Sequence, residues 1–452
     1  MVLLCLRGSA LAVVGLLAAG LLSVGANPAA AQNAPEPAAV QQQEQSVAAL
    51  VARISRSVEA IRGERFKRPV RLRQLSPAEM RRHLESLIEQ EWPAQKMAAQ
   101  QELFRLLGLL PPDTDLRTTL TDVLGEQVGG LYDPAAGVML LGQGMGGQLL
   151  EIVLAHELTH ALDDQLYDLK QLQELARETT DLSFALSAVV EGSGTLVMNR
   201  YLLEVAGTDP ERLPELLAES GQAEAARGEK LMAAPPFVQR NLLLSYLLGQ
   251  TFLVDSPAGA LSLLSDPSVS PEKFARAFLE PPLSSEQILH RERFWDPKQR
   301  DLPSRLVLPD VSQVLGAGWQ ALESDTLGEL NAAILTGSAP AAPEGGGLNA
   351  MLGLLTRGDW TTPAAAGWDG DTAILCGRGG QRAALWVSLW DSSSDAAEFY
   401  AAYAPPGGRP AGKAQAASRV AVVVGVEDAT TKAGALLEKA QVLAESPLSR
   451  QR

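Results

Sequence analysis

The strongest constraint on the fold is VLAHELTHALDDQ at residues 153–165, which sets His156 and His160 four apart with Glu157 directly after the first. Residues four apart in an α-helix project from one face, a turn above each other, so both imidazoles can meet one ion. In a strand the same two residues would stand about 13 Å apart and share nothing. Half of the chain's four histidines sit in this one segment. The segment therefore predicts a helix, and it requires another element to supply whatever else the ion needs.

Two histidines and a glutamate in this spacing form the HExxH arrangement of zinc hydrolases. Leu158 and Thr159 inside the motif are uncharged, and Ala161 and Leu162 continue its apolar face. Zinc takes a third protein ligand. A third histidine six residues after His160 is excluded, because that position is Leu166 and the preceding glycine position is Asp163. The remaining choice is a carboxylate from a different helix. Glu191 interrupts an otherwise uncharged stretch, with Phe184, Leu186, Val189 and Val190 before it and Leu196 and Val197 after. A buried lone carboxylate costs several kcal/mol unless a cation compensates it. Gly192 and Gly194 beside it allow two helices to approach closely. Alternatively Glu191 faces water or pairs with Arg200, leaving Asp181 or Asp168 as the ligand.

With His156, His160 and Glu191 as ligands, the fourth position would hold a water of pKa about 7, and Glu157 would take its proton during attack on a carbonyl. An oxyanion donor usually assists. His290 is the candidate, with Tyr201 and Tyr246 as alternatives; the competing reading makes His290 an ordinary hydrogen-bonded histidine. His83, among arginines and glutamates, reads as a surface residue.

The rest of the chain frames this motif. Of 452 residues, 46% are hydrophobic, enough for a real core, and the net charge of −15 argues against nucleic-acid or anionic-membrane binding. Residues 1–31 have one arginine, an apolar run and Ala29-Ala30-Ala31, the layout of a secretory signal peptide; an uncleaved membrane anchor is the alternative. Export predicts a secreted, periplasmic or envelope protein, with no membrane span once the leader is removed. Cys376 is the one thiol left after the leader, so no internal disulfide is expected. Residues 32–45 are Ala/Pro/Gln-rich and predict a disordered spacer. A helical pattern follows from Ser46 to about Leu110, then two β-prone runs around Leu131 and Met139 flank the turn-forming DPAAG, a hairpin signal. The motif helix is expected from about Gln148 to Leu169, a second apolar helix over 181–205, and further helices to about Leu264. An exposed edge strand of the hairpin could bind an extended peptide. Beyond a linker near 337–349, strands alternate with helices. The expected architecture is α+β: a catalytic domain over 46–300, mainly helical with a small hairpin or sheet before the active-site helix, and a C-terminal α+β module over 301–452.

The elements EQVGGLYDP, HELTHALDDQ, ALSAVVEGSGT and PPLSSEQILH, with GWDGD at 367–371 and DAAEF after it, resemble exported bacterial zinc metallopeptidases of the gluzincin type. The resemblance spans most of the mature chain. It implies a zincin-like fold, zinc held by His156, His160 and Glu191, and Glu157 as catalytic base. The chain departs from such proteins in having Ser193 where an aspartate is common, RERF after His290, and GWDGD for GWGGD. The expected function is hydrolysis of peptide or protein substrates. Two alternatives are an envelope scaffold protein that keeps zinc for stability, and a zinc amidase acting on a non-peptide cell-wall substrate.

Overall fold

The structure, a computed structural model, describes residues 37–127, 129–143, 147–205, 229–254, 270–337 and 360–443. The leader, the start of the spacer and nearly all of the 337–349 linker lie outside the described residues, as do parts of the helices expected before Leu264. The first element, α1 (Pro37–Arg62), begins inside the expected spacer. Alanine and glutamine are good helix formers, so PAAVQQQEQ extends the following helix instead of standing apart from it.

The helical pattern expected over 46–110 is interrupted by strand β1 (Arg71–Leu75), whose residues alternate between exposed and half-buried up to Leu75. Two arginines hid its period-2 pattern. Helix α2 (Pro77–Glu91) then starts at Ser76, where a full capping box with Glu79 forms around Pro at the first position. Helices α3 (Ala94–Leu107) and α4 (Leu116–Gln127) follow. Strands β2 (Gly130–Asp133) and β3 (Val138–Gly142) form the hairpin, antiparallel, with β1 parallel on the far side of β3.

Helix α5 (Gly147–Tyr167) carries the HELTH motif, and α6 (Leu169–Ala176) and α7 (Thr180–Arg200) follow it, with a short π-helical turn over Tyr201–Val205 ending the latter. Both α5 and α7 carry apolar residues on every side because both run through the interior. Every residue of α7 from Thr180 to Asn199 is buried. Helices α8 (Glu229–Ala233), α9 (Pro236–Leu253), α10 (Pro271–Leu279), α11 (Ser285–Leu289) and α12 (Glu292–Trp295) complete the helical half. Among the described residues, no helix is long and apolar enough to cross a membrane.

The C-terminal part has β4 (Arg305–Val307), α13 (Ser312–Leu315), β5 (Gln320–Asp325), α14 (Gly328–Thr336), β6 (Trp368–Arg378), β7 (Gln381–Trp390), α15 (Ser393–Ala402), β8 (Ala411–Ala416), β9 (Arg419–Val424), α16 (Ala429–Lys439) and β10 (Gln441–Leu443). Five strands make an antiparallel sheet in the order β5-β6-β7-β9-β8, and β10 pairs with β4. Alternate residues serve two cores. Trp386, Val420, Val422 and Val424 pack with Phe104 and Leu107 of α3 and Phe399 of α15, while Leu385, Val387, Ala421 and Val423 pack with Leu436 and Leu437 of α16. Burial on both faces explains why these strands read as near-continuous apolar runs. The first of these cores is continuous with the N-terminal helices, so the C-terminal part shares its interior with the rest of the chain.

Candidate metal site

Helix α5 presents His156, Glu157 and His160, and the buried α7 crosses it to present Glu191. His156 Nε2 lies 3.2 Å from Glu191 Oε2, and His160 Nε2 lies 3.6 Å from the same oxygen. A tetrahedral ion with bonds of about 2.0–2.1 Å separates its ligand atoms by about 3.3 Å. One ligand atom from each of the three residues falls within 4.8 Å of the others. The two imidazoles meet edge to face, ring centres 4.5 Å apart. His156 and Glu157 are wholly buried, His160 is 2% exposed and Glu191 3%.

The residues around Glu191 explain the EGSGT sequence. A Cβ on Gly192 would overlap the backbone of Gly249, so this is where α7 and α9 touch main chain to main chain. A Cβ on Gly194 would sit 2.8 Å from the Cε1 atoms of both His156 and His160. Glycine there leaves room for the imidazole pair. Between these two, the Ser193 hydroxyl donates to Asp163 Oδ2 at 2.6 Å. The other oxygen of Asp163 pairs with Arg62 of α1, whose side chain is completely buried and stacks 3.6 Å over the Phe274 ring. Helices α1, α5 and α7 therefore meet in one buried ion pair beside the histidines.

The electrostatics suit a cation. Burial, with His160 adding to it, pushes the His156 imidazole down to about 4, so it is neutral at pH 7. Burial works to raise the Glu191 carboxyl, but the hydrogen bonds and charges of the two histidines outweigh it and hold the group at about 2. Burial, with the Glu191 charge behind it, raises Glu157 well above the usual carboxylate range, against the pull of the Tyr132 N–H. That N–H donates to Glu157 Oε2 at 2.7 Å. Glu157 Oε1, His160 Nε2 and both Nδ1 atoms are buried without a hydrogen-bond partner among the described residues. Buried polar atoms are rarely left so, and two imidazoles with one carboxylate are a suitable donor set for zinc. The residues fit the metal.

The other predicted residues lie elsewhere. His290 Nε2 is 2.9 Å from Glu329 Oε1 of α14, which also accepts the Thr361 hydroxyl, and the imidazole is raised above its ordinary value chiefly by that hydrogen bond. It is a seam residue, outside the imidazole group. Asp181 Oδ1 accepts the Ser285 N–H at 2.8 Å, and Asp168 sits at a left-handed turn bonded to Gln171. Tyr201 is held between Arg53 and Glu151, whereas the Tyr246 ring stacks on His156 with centres 6.0 Å apart. His83 is half-buried and faces Asp133 at 3.6 Å, so its surface assignment is corrected.

The expected exposed edge is also corrected: all four residues of β2 are buried, and the Tyr132 N–H that would have met a peptide goes to Glu157. Sequence reasoning missed that N–H and Arg62, which no local pattern marks. The DDQ following HELTHAL was the available signal. Asp163 takes Arg62, Asp164 accepts the Tyr132 hydroxyl at 2.7 Å, and Gln165 exchanges two hydrogen bonds with the Arg68 backbone. A second acidic group, Glu286, Asp301 and Asp391, surrounds the Arg293 guanidinium at 2.7–2.9 Å, which supplies its counter-charge.

Residues 314–439 match one family model, a Domain of unknown function (DUF8575). No curated protein and no solved structure gave a match.

Proposed function

We propose that the chain is an exported zinc-dependent metallopeptidase of the gluzincin kind, with a zincin-like catalytic core, acting on a peptide or protein substrate. The observation that carries this reading is the convergence of His156, His160 and Glu191, from two helices, at distances of a tetrahedral ligand set around otherwise unpartnered nitrogens.

Zinc bound there would polarise a carbonyl and acidify water. The chain's own contribution is clearer in Glu157. Its Oε2 is fixed by the Tyr132 N–H, which leaves Oε1 to accept a proton and to return it to a leaving nitrogen. The raised proton affinity of this carboxyl matches that task. Tyr246, stacked on His156 with ring centres 6.0 Å apart, takes the place of His290 as the candidate oxyanion donor. The dense burial of the group favours a second reading, a zinc-stabilised envelope scaffold without turnover.

Metal analysis of the purified protein alongside peptide-library cleavage separates the two. One zinc per chain with cleavage abolished in Glu157→Gln supports the peptidase. One zinc, a melting temperature lowered by chelation and no cleavage of any peptide supports the scaffold, and no zinc ends both. Cleavage confined to non-peptide amides would redirect the reading to a cell-wall amidase.

A further inference from the structure

We propose that the 314–439 domain is a clamp that sets the line of the Glu191 helix, so that the ligand at the middle of α7 depends on contacts made at its N-terminus; the proposal rests on the metal reading for its zinc readout alone.

The first turn of any helix leaves backbone N–H groups without partners inside the helix. In α7 two of these are met by the C-terminal domain. Asp325 Oδ1 accepts the Thr180 N–H at 2.7 Å, its Oδ2 accepts the Thr180 hydroxyl at 2.5 Å, and the Thr326 carbonyl accepts the Asp181 N–H at 3.0 Å. The local cap, Thr179, serves Leu182. Negative charge at this end also suits the helix dipole.

The clamp is itself held rigidly. Asp371, the last residue of GWDGD, is 2% exposed and accepts four hydrogen bonds, from the Leu327 and Gly328 N–H groups at 2.9 Å and the indoles of Trp368 and Trp386 at 2.9 and 3.2 Å. It ties the start of α14 to the sheet while residues 325 and 326 reach α7. Gly328 has φ +81°, and a side chain there would strike the Asp181 carboxylate. PPLSSEQILH closes the same seam. The Ser285 N–H donates to Asp181, the Ser285 hydroxyl accepts the Leu330 N–H, and His290 meets Glu329. Motifs that the catalytic reading leaves unused thus gather at this one place.

Glu191 is eleven residues beyond Thr180, about 16 Å along the helix. Near Glu191 the α7–α9 contact is glycine against glycine, a close approach of the two backbones, and beyond it Asn199 of α7 donates to Gln250 of α9 at 2.8 Å. Glu191 therefore lies between two anchored stretches of one helix, and Asp325 with Thr326 supplies the N-terminal anchor. Asp325 and Asp371 are positioning residues in this scheme.

Asp325→Ala in the full chain tests it, with backbone hydrogen exchange followed along α7 in the metal-free protein and zinc affinity measured by chelator competition. Amides of residues 188–195 are expected to exchange roughly tenfold faster and zinc to be held roughly tenfold more weakly. Asp325→Asn, which keeps an acceptor for the Thr180 N–H, should restore most of both. Acceleration confined to residues 180–183, with 188–195 as protected as in the parent, overturns the proposal. If Asp325→Ala does not fold, Asp371→Asn carries the same profile test. A parent that binds no zinc refutes the metal reading, and the exchange profile still decides the clamp.

Discussion

The N-terminus and the middle of α7 meet buried acids under opposite conditions. At the N-terminal end, Asp325 and Asp371 are saturated by backbone, hydroxyl and indole donors. At mid-helix Glu191 meets two imidazoles, and the surrounding His160 Nε2, both Nδ1 atoms and Glu157 Oε1 find no hydrogen-bond partner among the described residues. Saturated acids hold elements together. A cluster with unmet donors and acceptors of mixed type suits a ligand. The contrast sets a structural N-terminus of α7 against the mid-helix group to which the proposed chemistry belongs.

The largest expected effect falls on the mid-helix group. Glu191→Ala should take zinc from one per chain to near zero by elemental analysis; unchanged stoichiometry would erase the distinction between the two regions. Glu157→Gln should leave zinc in place and lower peptide hydrolysis by about 10²–10⁴-fold, the usual worth of a positioned acid–base group. Next comes the ion pair joining three helices. Arg62→Ala leaves Asp163 buried beside Ser193 without its counter-charge, a loss of about 3–5 kcal/mol in denaturant midpoints.

The structural end should show itself through pH. Burial raises Asp181 to about 7, above its unfolded value near 3.9. A raised carboxyl contributes stability that is whole below about pH 4 and is lost as pH rises through about 7. Asp181→Asn lacks that titration. Its stability relative to the parent, in the metal-free protein, should therefore climb from pH 4 to 7; a flat difference would mean that Asp181 is not the buried proton holder the seam implies. The smallest effect is Ser193→Ala, which removes one hydroxyl from Asp163 and should cost about 1 kcal/mol.

Much of the candidate metal site was legible because its information is local. The spacing of His156 and His160 is a statement about one helix, and Glu191 stood out as the lone charge in an apolar run. The seam was not legible. Nothing near His290 reveals that Glu329 is its partner, because the two are joined only when α14 packs against α11. GWDGD could be recognised as a motif but not understood, since Asp371 acts on N–H groups more than forty residues away in the chain.

The sequence by itself determined the motif helix, the residue types grouped on it and the hairpin before it, because periodicity and side-chain chemistry are written residue by residue. Only the tertiary structure decided that the hairpin edge is buried, that α1 contributes Arg62 to the interior, and that the C-terminal sheet is part of one shared core. The physical reason is that burial and ion pairing are properties of surfaces brought together, and those depend on residues far apart in the chain.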